Sequence, residues 1–163
     1  MEIVLDSVSL QHLLRNLEPR EGSGGYETAL DRPMRNGDLI LVLDRVGGLE
    51  GEWVKTCGKE IVGVILSKWE ELKGISFIPA PPALHRHITK QLRILGFTDT
   101  IDKLILRLAT TTTDGIVVSD DNDFWDPQST TERGNRNAPV TRLCREQLGI
   151  TITLLRPLLR ELS

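Results

Sequence analysis

Four aspartates, Asp120, Asp121, Asp123 and Asp126, fall within seven residues, and Pro127 follows them. Carboxylates held that closely repel one another unless a cation sits between them. Oxygen-only ligation suits Mg²⁺ or Mn²⁺ far better than zinc. The plain alternative is a solvated acidic turn, because Asp and Asn favour turns in any protein. What separates the two is whether carboxylates arrive at the same place from elsewhere in the chain.

The element that must position the cluster is the run Gly115 to Ser119, Gly-Ile-Val-Val-Ser, whose β-branched residues predict a buried strand. Ligands of open α/β sheets bind outside the carboxyl ends of the strands, where this cluster falls. Glu2 to Leu5 predicts a second short strand closed by Asp6, with Ser7 capping a helix that carries Val8, Leu10, Leu13, Leu14 and Leu17. Asp6 thus repeats the position of Asp121, a carboxylate at a strand end beside a helix start; a simple N-cap is its ordinary use. Thr98-Asp99 caps a helix with Ile101, Leu104, Ile105, Leu108 and Ala109, and Asp102 lies in its first turn. The helix macrodipole favours a carboxylate there even without a function.

The rest of the chain supplies the frame. Leu39 to Leu43 is an apolar run predicting a buried strand that ends in Asp44, and Gly47-Gly48 makes a turn toward a helical segment starting near Glu52-Trp53. Ile61, Val64, Ile65, Leu66, Trp69 and Leu72 predict one apolar helix face, stopped at Gly74. Trp53 and Trp69 read as packing residues. Pro79-Ala-Pro-Pro82 is a stiff connector. His85 and His87 open a helix through about Leu95; two residues apart, they face different ways and do not suggest a shared metal. Arg86, Lys90 and Arg93 give that helix a basic face of the kind usually just solvated. Val140 to Leu148 predicts a helix ended by Gly149, Ile150 to Leu155 an edge strand, and Pro157 to Leu162 a terminal helix. Residues 18 to 38, with Gly22, Gly24, Gly25, Pro33 and Gly37, read as one long surface loop, expected to border the active cleft or an oligomer contact.

Strands alternating with helices predict an α/β fold, a parallel sheet flanked by helices in a single domain over 1–163. Right-handed crossovers would bring Asp6, Asp121 and Asp123 to one edge of the sheet, with the Asp102 helix leaning over them. The 163 residues suffice for one core, and 39% hydrophobic with 26% charged residues excludes a disordered or membranous chain. No apolar run approaches the roughly 20 residues of a membrane span. The start Met-Glu-Ile-Val-Leu-Asp lacks the features of a signal peptide, so a cytoplasmic protein is expected. Cys57 and Cys144, far apart and in no metal spacing, read as small hydrophobes. The net charge of −3 argues against a general nucleic-acid coat protein, but setting five site acids aside leaves the remainder at +2.

On these residues the chain resembles the PIN-domain nucleases. The matching pieces are Val-Leu-Asp6, Leu-Glu-Gly-Glu52-Trp, Asp102-Lys-Leu-Ile-Leu-Arg-Leu-Ala, and Ile-Val-Val-Ser-Asp-Asp121-Asn-Asp123-Phe. Together they span nearly the whole chain. The last is the most specific, being similar to the family's Thr/Ser-x-Asp-x-Asp-Phe, and the Glu52 match is the weakest, with Glu50, Asp44 and Glu60 as rivals. The resemblance implies Mg²⁺- or Mn²⁺-dependent phosphodiester hydrolysis, usually of RNA, by a toxin-type or RNA-processing endoribonuclease. It implies Asp6, Asp102 and Asp121 as direct or water-mediated ligands and Asp123 as a further ligand or a carboxylate supporting them. Glu52 is implied as a ligand or orienter of the water, and Ser119 as a brace or substrate contact. Arg133 and Arg136 are candidate phosphate contacts, with ordinary loop solubility an equal reading. A protein antitoxin or regulator and a homo-oligomer are the implied partners besides RNA.

Two other readings compete. One is a catalytically silent module that keeps the fold as a partner or RNA platform. The other is a metal-dependent phosphohydrolase of another α/β family, weakened because Asp6-Ser7-Val8-Ser9 lacks the second Asp that a haloacid-dehalogenase-type phosphatase places two residues on.

Overall fold

The computed structural model describes residues 1–15, 17, 26–124 and 139–163. Five parallel strands form one sheet in the order β3-β2-β1-β4-β5. They are β1 (Glu2–Leu5), β2 (Ile40–Asp44), β3 (Ile75–Ile78), β4 (Ile116–Val118) and β5 (Thr151–Thr153). β1 pairs with β4 from Ile3 opposite Ile116 to Leu5 opposite Val118, and with β2 from Glu2 opposite Ile40. Ile3, Val4, Leu5, Val117 and Val118 are almost wholly buried. That is the burial expected of central parallel strands covered on both faces.

The helices are α1 (Ser7–Leu14), α2 (Asp31–Arg35), α3 (Gly48–Cys57), α4 (Lys59–Glu71), α5 (Arg86–Ile94), α6 (Thr100–Ala109), α7 (Pro139–Leu143) and α8 (Leu155–Leu162). The α/β fold with a parallel sheet flanked by helices agrees with the sequence reading. Among the described residues no helix is long and apolar enough to cross a membrane.

Several details differ from expectation. β3 has no counterpart in the sequence reading, because Ile75-Ser-Phe-Ile is only four residues long and half-buried throughout. α3 begins at Gly48, so Glu52 lies one turn inside it instead of opening it. Val64 is exposed, its place on the buried face of α4 taken by Val62. The last stretch before Gly149 is a short α-helix running into a π-helical turn, Cys144–Leu148. α8 begins two residues early, at Leu155, and β5 ends at Thr153.

The largest correction concerns 18–38. Its described part, 26–38, is not a surface loop. α2 turns Leu30 and Met34 into the core, with Pro33 in the first turn where no helical N–H is lost. Asp31, fully buried, accepts hydrogen bonds from Thr28 Oγ1 at 2.8 Å and Trp69 Nε1 at 2.9 Å and pairs with Lys68 Nζ of α4. Burial alone raises a carboxyl; here the bonds from Lys68, Thr28 and Trp69 outweigh it and hold Asp31 below its ordinary value. Trp69 meets Trp53 edge to face at 6.4 Å between centroids, and both indoles are core residues, as their sequence context predicts. The proline connector is clamped to α6 by Arg107, whose guanidinium donates to the Pro81 and Pro82 carbonyls. Cys57 and Cys144 are both free thiols; burial pushes Cys144 up to about 12.

Candidate functional site

The strand order reverses direction between β1 and β4: the chain runs outward through β2 and β3 on one side and through β5 on the other. A crevice opens beyond the carboxyl ends of two strands whose connections diverge in this way. Asp6 follows β1 directly, and the turn holding Asp121 and Asp123 follows β4. Asp6, Glu52, Asp99, Asp102, Asp121 and Asp123 line a cavity there of about 110 Å³, together with Ser7 and Ile101.

The backbone of the two strands carries on past the last pair. Asp6 N donates to the Val118 carbonyl at 2.9 Å, and Ser119 N to the Thr153 carbonyl at 3.0 Å. Beyond that point side chains take over. Ser119 Oγ donates to Asp6 Oδ2 at 2.8 Å and accepts from Asp121 N at 3.1 Å, so one hydroxyl ties both strand ends. Ser119 is wholly buried and therefore a brace; its expected role as a substrate contact is corrected on that ground. Asp6 Oδ1 accepts from Ser7 N at 2.6 Å, so Asp6, not Ser7, is the N-cap of α1. Asp121 Oδ1 accepts from Asp123 N at 2.9 Å, which folds the acidic turn back on itself.

The neighbouring Asp120 points elsewhere. Its Oδ2 meets His12 Nδ1 at 2.7 Å and its Oδ1 accepts from Leu155 N, at the start of α8, at 3.1 Å. An acidic run that looks uniform in sequence is therefore divided: Asp120 secures α1 and α8, while Asp121 and Asp123 face the cleft.

Helices bring the other two carboxylates. α6 is capped by Asp99, whose Oδ1 accepts from Ile101 N and Asp102 N at 2.8 and 3.2 Å, as the Thr98-Asp99 pair predicts. The cap leaves Asp102 in the first turn, buried over the cleft. α3 approaches α6 through Gly48: a Cβ there would lie 2.8 Å from Leu104 Cδ2 and 3.2 Å from Asp44 Oδ2. Any larger residue there would require the end of the Leu104 side chain to shift. Trp53 Nε1 then donates to the Leu5 carbonyl at 3.1 Å, fixing α3 to the residue before Asp6. Glu52, adjacent in sequence, lies at the rim, with Lys55 Nζ 3.4 Å from its Oε2. Of its rivals, Asp44 spends both oxygens on the start of α3, accepting from Gly48 N at 2.7 Å and Leu49 N at 2.9 Å. Glu50 and Glu60 do not line the cavity.

Electrostatics mark the cleft. Burial raises the Asp6 carboxyl to about 6, the Ser119 hydroxyl partly opposing and the Asp121 charge adding to it. Asp102 is pushed up to about 8, chiefly by burial, then by Asp123, with which it is placed to share a proton, and by the charges of Asp99 and Asp6. Burial among other acids therefore favours the protonated form of Asp102 near neutral pH, and a positive charge brought beside it would favour the ionised form. The donor set is oxygen only and suits a hard divalent cation. Among the described residues, however, no three His, Cys, Asp or Glu side chains stand close enough together to hold one ion as packed. The described donors fit Mg²⁺ or Mn²⁺ in type, and as packed they offer no three-ligand grip.

Asp99 is the site residue that the sequence reading left as a cap only. Its double role has one sequence signal, its position three residues before Asp102, which puts both carboxylates on one side of the first helical turn. No residue of 26–38 lines the cavity. Arg133, Arg136 and Asp126 lie outside the described residues. No protein-family model, no curated protein and no solved structure matches this chain.

Proposed function

We propose that the protein is a Mg²⁺- or Mn²⁺-dependent nuclease of the PIN type, acting as an endoribonuclease. The observation that carries this reading is the meeting of Asp6, Asp102, Asp121 and Asp123, from three separate segments of the chain, in one crevice at the switch point of a parallel sheet. Carboxylates at such cost to one another are retained where their charge is used. Asp6, Asp102 and Asp121 are the residues to hold the ion, with Asp123 beside them. The chemistry such an ion supplies when bound is a deprotonated water and relief of charge on the pentavalent phosphorus.

The chain's own residues do the rest. Ser119 keeps Asp6 and Asp121 in register through one hydroxyl. Asp102, raised to about 8 by burial and its acidic neighbours, keeps its proton at low pH and loses it as the pH rises, so activity is expected to rise through the neutral range. Glu52, half-buried at the rim, is the residue to hold the ion or to orient the attacking water. The test is cleavage of labelled single-stranded RNA with Mn²⁺, by wild type and by Asp6→Asn and Asp121→Asn. Loss in both variants with retained melting supports the reading, and equal cleavage by all three refutes it.

The silent-module reading keeps one observation in its favour, the absence of a ready three-carboxylate grip among the described residues. RNA binding without Mn²⁺-dependent cleavage would select it.

A further inference from the structure

Helix α5 turns Ile88 and Leu92 into the core and leaves Arg86, Lys90 and Arg93 exposed on its outer side. Spacings of four and three residues set these cations in a row along about 10 Å of helix axis. Opposite them stand Thr98 and Lys103, and with Thr89 the six residues line an open cavity of about 730 Å³. Among the described residues no carboxylate lines it. Among the described residues, none of the four cations makes an ion pair. A merely solvated helix face ordinarily mixes both signs and pairs them along the helix. α5 has no acid at all, in a chain whose net charge is −3.

This cavity and the acidic cleft share a wall. Lys103 of the cavity follows Asp102 of the cleft, and Thr98 of the cavity precedes Asp99 of the cleft. Adjacent residues at a helix start point to neighbouring sides, so the first turn of α6 has one acidic flank and one basic flank.

We infer that the basic groove holds the sugar–phosphate backbone of a single-stranded polynucleotide where it enters or leaves the acidic cleft. The inference rests on the nuclease reading for the identity of the anion. A concavity of this size takes a short stretch of single strand, not a duplex. Lys and Arg side chains set along a groove track phosphates, and the Thr89 and Thr98 hydroxyls add donors. Among the described residues no aromatic side chain lines the groove, so the described lining offers phosphate contacts and no stacking platform. The basic face that sequence alone assigns to solvent thereby acquires a ligand, because Lys103 and Thr98 close it into a groove.

The experiment is fluorescence anisotropy of a labelled uridine oligonucleotide with the full chain in EDTA, across a series of salt concentrations. The variants are Arg86→Gln/Lys90→Gln/Arg93→Gln and the corresponding triple Glu; both change only exposed side chains. Wild type is expected to bind with log K falling linearly against log salt. Each phosphate contact on a single strand contributes about 0.7 to that slope, so the Gln triple should lower it by about 2 and weaken binding at least tenfold. Unchanged affinity and slope in the Gln triple, or no binding by wild type, overturns the groove. Equal or tighter binding of a polyglutamate peptide, lost in the same variant, overturns the polynucleotide and makes the groove a docking site for acidic protein. Cleavage with Mn²⁺ is read in parallel. Groove-dependent binding without any cleavage defeats the nuclease reading and leaves the groove standing. Cleavage with unchanged kcat/KM in the Gln triple does the reverse.

Discussion

Asp31 and Asp102 are both buried aspartates near helix starts, at 0% and 6% exposure, yet their carboxyls move in opposite directions. Burial raises both. Around Asp31 an ammonium, a hydroxyl and an indole N–H reverse it, so the group is ionised and satisfied. Around Asp102 the neighbours are Asp123, Asp99 and Asp6, which add to it. The comparison teaches that burial does not identify a site; the sign of what surrounds the buried charge does. Asp31 is given its counter-charge by the chain, whereas Asp102 has only acids for charged neighbours, the environment in which functional sites are sought.

The contrast can be broken most directly at Asp121. Asp121→Asn is expected to lower Mn²⁺-dependent cleavage by two to three orders of magnitude, about 3–4 kcal/mol of transition-state stabilisation, without lowering the melting temperature. Loss of melting temperature instead would make Asp121 a structural residue like Asp31. At the other pole, Lys68→Met strands the Asp31 charge and should destabilise the fold by about 3 kcal/mol while leaving the cleft carboxylates untouched, read by chemical denaturation. A cost near zero would show that Asp31 is not held by its ion pair.

Mn²⁺ in hundredfold excess over its dissociation constant should stabilise wild type by about 2.7 kcal/mol, a rise of several degrees in Tm, and should not do so for Asp121→Asn. Equal shifts in both would place the ion elsewhere. The smallest effect concerns pH. Between the ordinary carboxyl value of 3.8 and the raised values of about 6 for Asp6 and about 8 for Asp102, the folded chain binds more protons than the unfolded one. Without divalent cation the cleft's contribution to stability therefore falls as pH rises through that window. Asp31, with its value lowered, contributes in the opposite sense and loses its contribution only below 3.8. Asp102→Asn should gain on the order of 1 kcal/mol at pH 8 and nothing near pH 4. A gain that does not depend on pH would exclude proton binding as its cause.

The sheet was legible because its central strands are uninterrupted apolar runs ending in aspartate. β3 was not, because a half-buried edge of four residues carries no such run. Asp6 and Asp44 look alike in sequence, each the acid after a buried strand. Only the following glycines distinguish them: Gly47 and Gly48 let the start of α3 fold back onto Asp44 and occupy both its oxygens. The split between Asp120 and Asp121 was illegible for a similar reason, since it depends on His12 and Leu155, residues 108 and 35 positions away. Asp31 was hidden by its glycine-rich flank, although Leu30 and Met34, four apart, already give one turn of apolar helix. Local spacing reveals which acids can reach an edge, and tertiary donors decide which of them remain available.

The edge-to-face indoles join the two regions compared above. Trp53 is bonded to the carbonyl preceding Asp6, and Trp69, 6.4 Å away, to the carboxylate of Asp31. An edge-to-face pair of indoles, each anchored through its N–H, links the two regions through buried side chains. Indole emission responds to the ring's surroundings, so the fluorescence of this pair is a built-in optical gauge. One end of that gauge is seated at the cleft and the other at the buried ion pair, with no label required.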